Sequence, residues 1–72
     1  MRKKNKIKII VNGKQMRITI NYSLKYLIHK LKLPIKKVAI ELNREIVDKK
    51  RISKIILKPN DKVEIVNFIG GG

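Results

Sequence analysis

The dipeptide Asn12-Gly13 constrains this chain more than any other feature. A two-residue type I′ turn needs positive φ at both central positions, and Asn-Gly is the pair that best tolerates it. The runs on either side alternate. Residues 6–11 (KIKIIV) place Ile7, Ile9 and Val11 on one side, and residues 15–20 (QMRITI) do the same with Met16, Ile18 and Ile20. A two-residue loop sets Ile9 opposite Met16 and Ile7 opposite Ile18, so turn chemistry and apolar pattern select the same register. The apolar face of this hairpin must then be covered. With 72 residues and no Cys, the cover is apolar packing rather than a disulfide or a thiolate metal site.

The period changes at residue 23. Ser23 is suited to cap a helix by accepting a free N–H of its first turn. Leu24, Leu27, Ile28 and Leu31 recur at i, i+3, i+4 and i+7, with Lys25, Lys30 and Lys32 on the wet side. Pro34 ends the pattern, which predicts a helix over residues 23–33. Residues 38–43 alternate again, with Val38, Ile40 and Leu42 inward. Asn43-Arg44 turns the chain into a short strand, residues 45–47. Residues 48–58 show no decisive period; Ile52, Ile55 and Ile56 have helical spacing over barely one turn. Pro59, pre-set for the second position of a turn, leads into a last strand, residues 62–68. Its alternation sends Val63 and Ile65 inward and leaves Glu64, Val66 and Phe68 outward.

One helix among four or five short strands must lie across one face of a small mixed sheet. The solution that pairs the last strand with the first (residues 6–11 with 62–68) is an α+β, ubiquitin-like β-grasp roll. Its expected core is Ile7, Ile9, Ile18, Leu24, Leu27, Ile28, Leu31, Ile40 and Ile65. The chain reads as a single domain, residues 1–72, with a basic start (1–5) and a flexible glycine tail (70–72). No apolar run approaches the roughly 20 residues that span a bilayer, so a cytoplasmic protein is expected.

Nineteen Lys and Arg against five acids give a net charge of +14. The first 40 residues hold twelve basic residues and no acid; residues 41–72 hold seven basic residues and all five acids. A basic half suits an acidic partner or nucleic acid, but it also suits plain composition drift, with Lys outnumbering Arg 15 to 4. Tyr22, Tyr26 and Phe68 form no stacking pair on one strand face, which argues against nucleic acid.

Catalytic sets are nearly absent. His29 stands alone beside the helix stripe, whereas metal sites need several ligands. Glu41 and Glu45 flank a turn and are placed to approach one another. Asp61, within a turn, suits backbone N–H groups better than proton transfer. Ser23 and Ser53 lack a His or Asp partner. No enzyme, no catalytic residue and no metal site is expected.

The end of the chain is more informative. Gly70, Gly71 and Gly72 follow a strand without a polar spacer. A backbone without Cβ atoms can thread a narrow channel and present its terminal carboxylate inside another protein. Three segments carry a resemblance: Val38-Ala39-Ile40-Glu41-Leu42-Asn43-Arg44-Glu45-Ile46-Val47, then Pro59-Asn60-Asp61-Lys62-Val63-Glu64-Ile65-Val66, then Phe68-Ile69-Gly70-Gly71-Gly72. Together they resemble the ThiS family, the sulfur carriers of thiamin biosynthesis. The resemblance covers about the last 35 residues. The related molybdopterin carriers usually have a Pro-containing tail, which Phe68-Ile69 lacks.

The resemblance implies a division of labour. An adenylating, E1-like enzyme of the ThiF type, using ATP and Mg²⁺, would activate the Gly72 carboxylate. A sulfur donor would convert it to a thiocarboxylate, and a thiazole synthase of the ThiG type would take the sulfur. Gly70 and Gly71 would enter the partners' active sites, with Val66, Phe68 and Ile69 as the docking residues beside them. The carrier would bind no cofactor stably. Alternatives are a carrier for molybdopterin, tRNA thiolation or protein tagging, and a small basic RNA-binding module.

Overall fold

The computed structural model describes residues 5–67. In chain order these form β1 (Lys6–Val11), β2 (Lys14–Thr19), α1 (Leu24–Lys30), a 3₁₀ turn (Ile35–Lys37), β3 (Val38–Leu42), β4 (Glu45–Ile46), a second 3₁₀ stretch (Lys49–Lys54) and β5 (Lys62–Asn67). The strands make one sheet in the order β2-β1-β5-β3-β4. The β1–β5 pair is parallel and the others are antiparallel. Helix α1 covers one face. This is the α+β architecture expected from the pattern.

Asn12 and Gly13 take φ values of 49° and 84°, as a type I′ turn requires. Ile9 faces Met16 and Ile7 faces Ile18, the expected register. Strand β2 stops at Thr19, one residue earlier than its alternation suggested. The backbone turns at Asn21, φ 63°, and Ile20 is 43% exposed instead of inward.

The Ser23 hydroxyl accepts the Tyr26 N–H at 3.0 Å and caps α1. The helix is shorter than residues 23–33. Lys32 takes φ 59°, and its N–H donates to the His29 carbonyl at 3.0 Å. The Leu33 N–H donates to the Ile28 carbonyl at 3.2 Å. These two bonds form a Schellman closure, with Lys32 in the left-handed seat that glycine usually fills. The helix is therefore closed before Pro34 can act on it.

Ile9, Ile18, Leu24, Leu27, Ile28 and Ile40 are buried as expected, joined by Val38, Val63, Ile52 and Leu57. Ile7, Leu31 and Ile65 are only half-buried against this cluster. Leu31 is the C-cap of the helix. Ile7 and Ile65 both lie outside the two positions at which β1 and β5 pair. Ile52 and Leu57 come from the stretch without a period. There the Asp48 carboxylate accepts the Lys50 N–H at 2.9 Å and starts the 3₁₀ turns. The segment is then tied to the helix start: Leu24 N–H donates to the Ile55 carbonyl at 2.8 Å, and Leu57 N–H to the Tyr22 carbonyl at 2.9 Å.

Strand β5 pairs with β3 along its length, from Val38 opposite Asn67 to Leu42 opposite Val63. Against β1 it is offset, and the pairing expected for residues 6–11 with 62–68 is confined to Ile10 with Lys62 and Val11 with Val63. The β1–β2 turn finishes the ladder. The Asn12 N–H donates to the Val63 carbonyl at 2.9 Å, and the Asn12 side-chain oxygen accepts the Ile65 N–H at 2.7 Å.

Candidate functional site

Of the residues the sequence placed near the tail, Val66 lies within the described structure, on β5. Two turns hold its entrance. At Lys58–Asp61, Asn60 takes φ 70° after Pro59, and the Asp61 carboxylate accepts the Lys58 N–H at 2.8 Å. The other carboxylate oxygen accepts the Asn43 side-chain amide at 3.0 Å, and the Asn43 oxygen accepts the Lys62 N–H at 2.9 Å. Asn43 itself sits at φ 51° in the β3–β4 turn, beside Arg44 at φ 73°. The start of β5 is thus pinned by side chains of two turns, and Asp61 serves backbone and amide donors as its position suggested.

On the outer face, away from α1, Val66 is 60% exposed and stands opposite Ala39 of β3. Two pairs further along, on the same face, Glu64 stands opposite Glu41, and Arg44 and Lys62 line the same surface recess. Glu41 and Glu45 do not form a pair. Glu41 is opposite Ile46 and Glu45 opposite Leu42, so the two carboxylates project from opposite faces of the sheet. Period-two alternation placed Val66 and Glu64 outward. The meeting of Glu41 with Glu64 depends on a long-range register that no turn sets, and only the shared outward alternation hinted at it. Phe68, Ile69, Gly70, Gly71 and Gly72 lie outside the described residues.

Among the described residues, no group of three or more His, Cys, Asp or Glu is placed to hold a metal ion. None of their helices is long and apolar enough to cross a membrane. Tyr22 and Tyr26 meet edge to face, with ring centroids 5.1 Å apart and planes at 65°, a geometry that offers no parallel slot for a base. Burial, and secondarily the neighbouring Tyr26 phenol, pushes the Tyr22 hydroxyl above its usual pKa.

A mixed five-stranded sheet with β5 at its centre and one helix across one face define the ubiquitin-like β-grasp class. The chain belongs to the ThiS family, whose sequence model matches residues 9–72, the glycine end included. These are sulfur carriers of thiamin biosynthesis. The crystal structure of the thiamine biosynthesis protein ThiS from Geobacter metallireducens superposes with a TM-score of 0.81 at 29% identity, covering 92% of this chain and 100% of that one. The sulfur carrier protein ThiS of Bacillus subtilis is 46% identical over 35 residues, 49% of this chain and 53% of that protein. The thiazole synthase of Paramagnetospirillum magneticum is 36% identical over 66 residues, 92% of this chain. The chain spans only 20% of that synthase's length.

Proposed function

We propose that this protein carries sulfur on its C-terminal carboxylate for thiazole formation. The observation that carries the proposal is the family match over residues 9–72, which takes in Gly70, Gly71 and Gly72. In the first step the Gly72 carboxylate attacks the α-phosphorus of ATP held with Mg²⁺ by a ThiF-type adenylating enzyme, and pyrophosphate leaves. In the second, a donor supplies sulfur at the oxidation level of sulfide. It attacks the acyl carbon, AMP leaves, and a thiocarboxylate remains. A ThiG-type thiazole synthase then accepts the sulfur. The synthase is favoured as acceptor because a protein of that name contains a segment similar to nearly the whole of this chain.

The carrier contributes presentation rather than proton transfer. Val66 and Ala39 offer a small apolar patch on the outer sheet face, and the docking role extends in this reading to Phe68 and Ile69, which follow in the sequence. Gly70 and Gly71 supply a backbone thin enough to enter a closed active site. ATP, Mg²⁺ and the sulfur donor belong to the partners. The test is intact-mass spectrometry of the chain after incubation with ATP, Mg²⁺, a ThiF-type enzyme and a sulfide source. Exchange of one oxygen for sulfur raises the mass by about 16 Da. A chain that never gains this mass with a competent enzyme is not a sulfur carrier.

A further inference from the structure

The helix side of the molecule carries a second surface that the carrier chemistry does not use. Between α1 and the second 3₁₀ stretch lies an open cavity of about 210 Å³. Its floor is apolar: Ile28 and Ile52 belong to the buried core, and Leu33 and Ile35 are half-buried. Its rim is basic. Lys25, His29 and Lys32 line it, all three exposed, and none of its lining residues is acidic. Among the described residues, none forms an ion pair or side-chain hydrogen bond with these three.

The surroundings reinforce the sign. The stretch from Ser23 to Ile40 contains Lys25, Lys30, Lys32, Lys36 and Lys37 and no Asp or Glu. The five acids all lie at residues 41–64. The field over this groove is therefore positive, and a bound segment of opposite sign gains both steering and contact.

We propose that this groove docks an acidic segment of a partner protein, one large apolar side chain filling the cavity and flanking carboxylates meeting Lys25 and Lys32. Size favours a side chain over a whole small molecule, whose pockets usually run from about 300 Å³ upward. An apolar floor with no aromatic platform suits a peptide better than a nucleic acid, which needs stacking surfaces. A second copy of this chain carries +14 itself. Among the described residues its most exposed large apolar side chain is Ile46; Glu45 precedes it, but Arg44 and Lys49-Lys50-Arg51 flank that segment, and the Asp48 carboxylate is already bound to the Lys50 N–H. The groove lies on the helix side and Val66 on the outer sheet face, so the site is independent of the carrier reading.

The experiment follows backbone amide shifts of the full chain by NMR while a capped peptide, Asp-Glu-Leu-Leu-Glu-Asp, is added. The shifts are expected to concentrate at Lys25, Ile28, His29, Lys32 and Leu33 and to spare Val66. Replacing both peptide leucines by serine, or making the double variant Lys25→Glu, Lys32→Glu, should weaken binding about tenfold. Both lysines are exposed, and an unchanged amide spectrum elsewhere confirms the variant's fold. The proposal is overturned if the serine peptide binds as well as the leucine peptide, which means unspecific charge attraction. It is equally overturned if a short oligouridine produces the same shifts with equal affinity, or if they arise without peptide as protein concentration rises.

Discussion

The Asn12 side chain and the Ile65 backbone, 53 residues apart, are joined by a 2.7 Å hydrogen bond from the Ile65 N–H to the Asn12 Oδ1. It forms where β1 has ended and β5 has not. A turned backbone at φ 49° no longer presents its carbonyl to the neighbouring strand, so the side chain of the turn residue takes that place. One residue thus serves two purposes, the left-handed turn geometry and the continuation of the sheet toward the tail.

These purposes separate by substitution. Asn12→Gly keeps the turn and removes the acceptor, and it should lower stability by about 0.5–1.5 kcal/mol, the usual net worth of one hydrogen bond. Asn12→Asp tolerates the same φ and retains an acceptor oxygen. Hydrogen exchange at the Ile65 amide should quicken in the glycine variant and stay slow in the aspartate variant. Equal exchange in both would mean that the bond does not protect β5.

Leu27 is fully buried at the centre of the helix stripe, and Leu57 is 2% exposed. Truncation of either to Ala is expected to cost about 2–5 kcal/mol. In a domain whose whole stability is about 5–15 kcal/mol, that is a large fall in urea midpoint. Leu57 is the sharper test, since nothing in the local pattern marks it as core. A midpoint unchanged in Leu57→Ala would mean that the residue 48–58 segment contributes little to the folded state.

What the sequence disclosed and what it withheld divide along a physical line. The β1–β2 hairpin was legible because Asn12-Gly13 fixes the register locally. Val66 was legible as outward because alternation needs no partner to be known. The end of α1 was not, since Lys32 fills a left-handed position that its residue type does not advertise. Ile52 and Leu57 were hidden because 3₁₀ turns have no apolar period of their own. The offset of β1 against β5, and with it the Asn12–Ile65 bond, follows from a parallel pairing that no short turn sets. The facing of Glu41 and Glu64, and the basic groove between Lys25 and Ile52, are products of such long-range placement.

Val66 projects from the outer face at 60% exposure and is not part of the buried core. Val66→Ala is therefore expected to change stability by less than about 1 kcal/mol. If this face docks the adenylating enzyme, the same variant should weaken that complex by roughly tenfold, as a small anchor in an interface does. Phe68→Ala should behave alike. Calorimetry of the variants and titration against the enzyme separate the readings. Loss of the fold in Phe68→Ala would assign that ring to the core, and unchanged affinity in both variants would move docking away from the outer face.

Gly71 is the residue next to the proposed reactive carboxylate. The core of the described structure is complete without residue 71, its buried residues running from Ile9 to Val63. Gly71→Val should melt with the unmodified chain. It adds a β-branched side chain next to the terminal residue, where the proposed adenylation needs the backbone alone to enter. Incubated with ATP, Mg²⁺, a ThiF-type enzyme and sulfide, the unmodified chain should gain about 16 Da and the variant should not. Deleting Gly72 leaves Gly71 as the terminal carboxylate with a shorter reach, and activation should fall without being abolished if only reach is limiting. Should Gly71→Val gain the same mass at the same rate, the tail does not enter a narrow site, and presentation by a thin backbone is the wrong account of what this chain contributes.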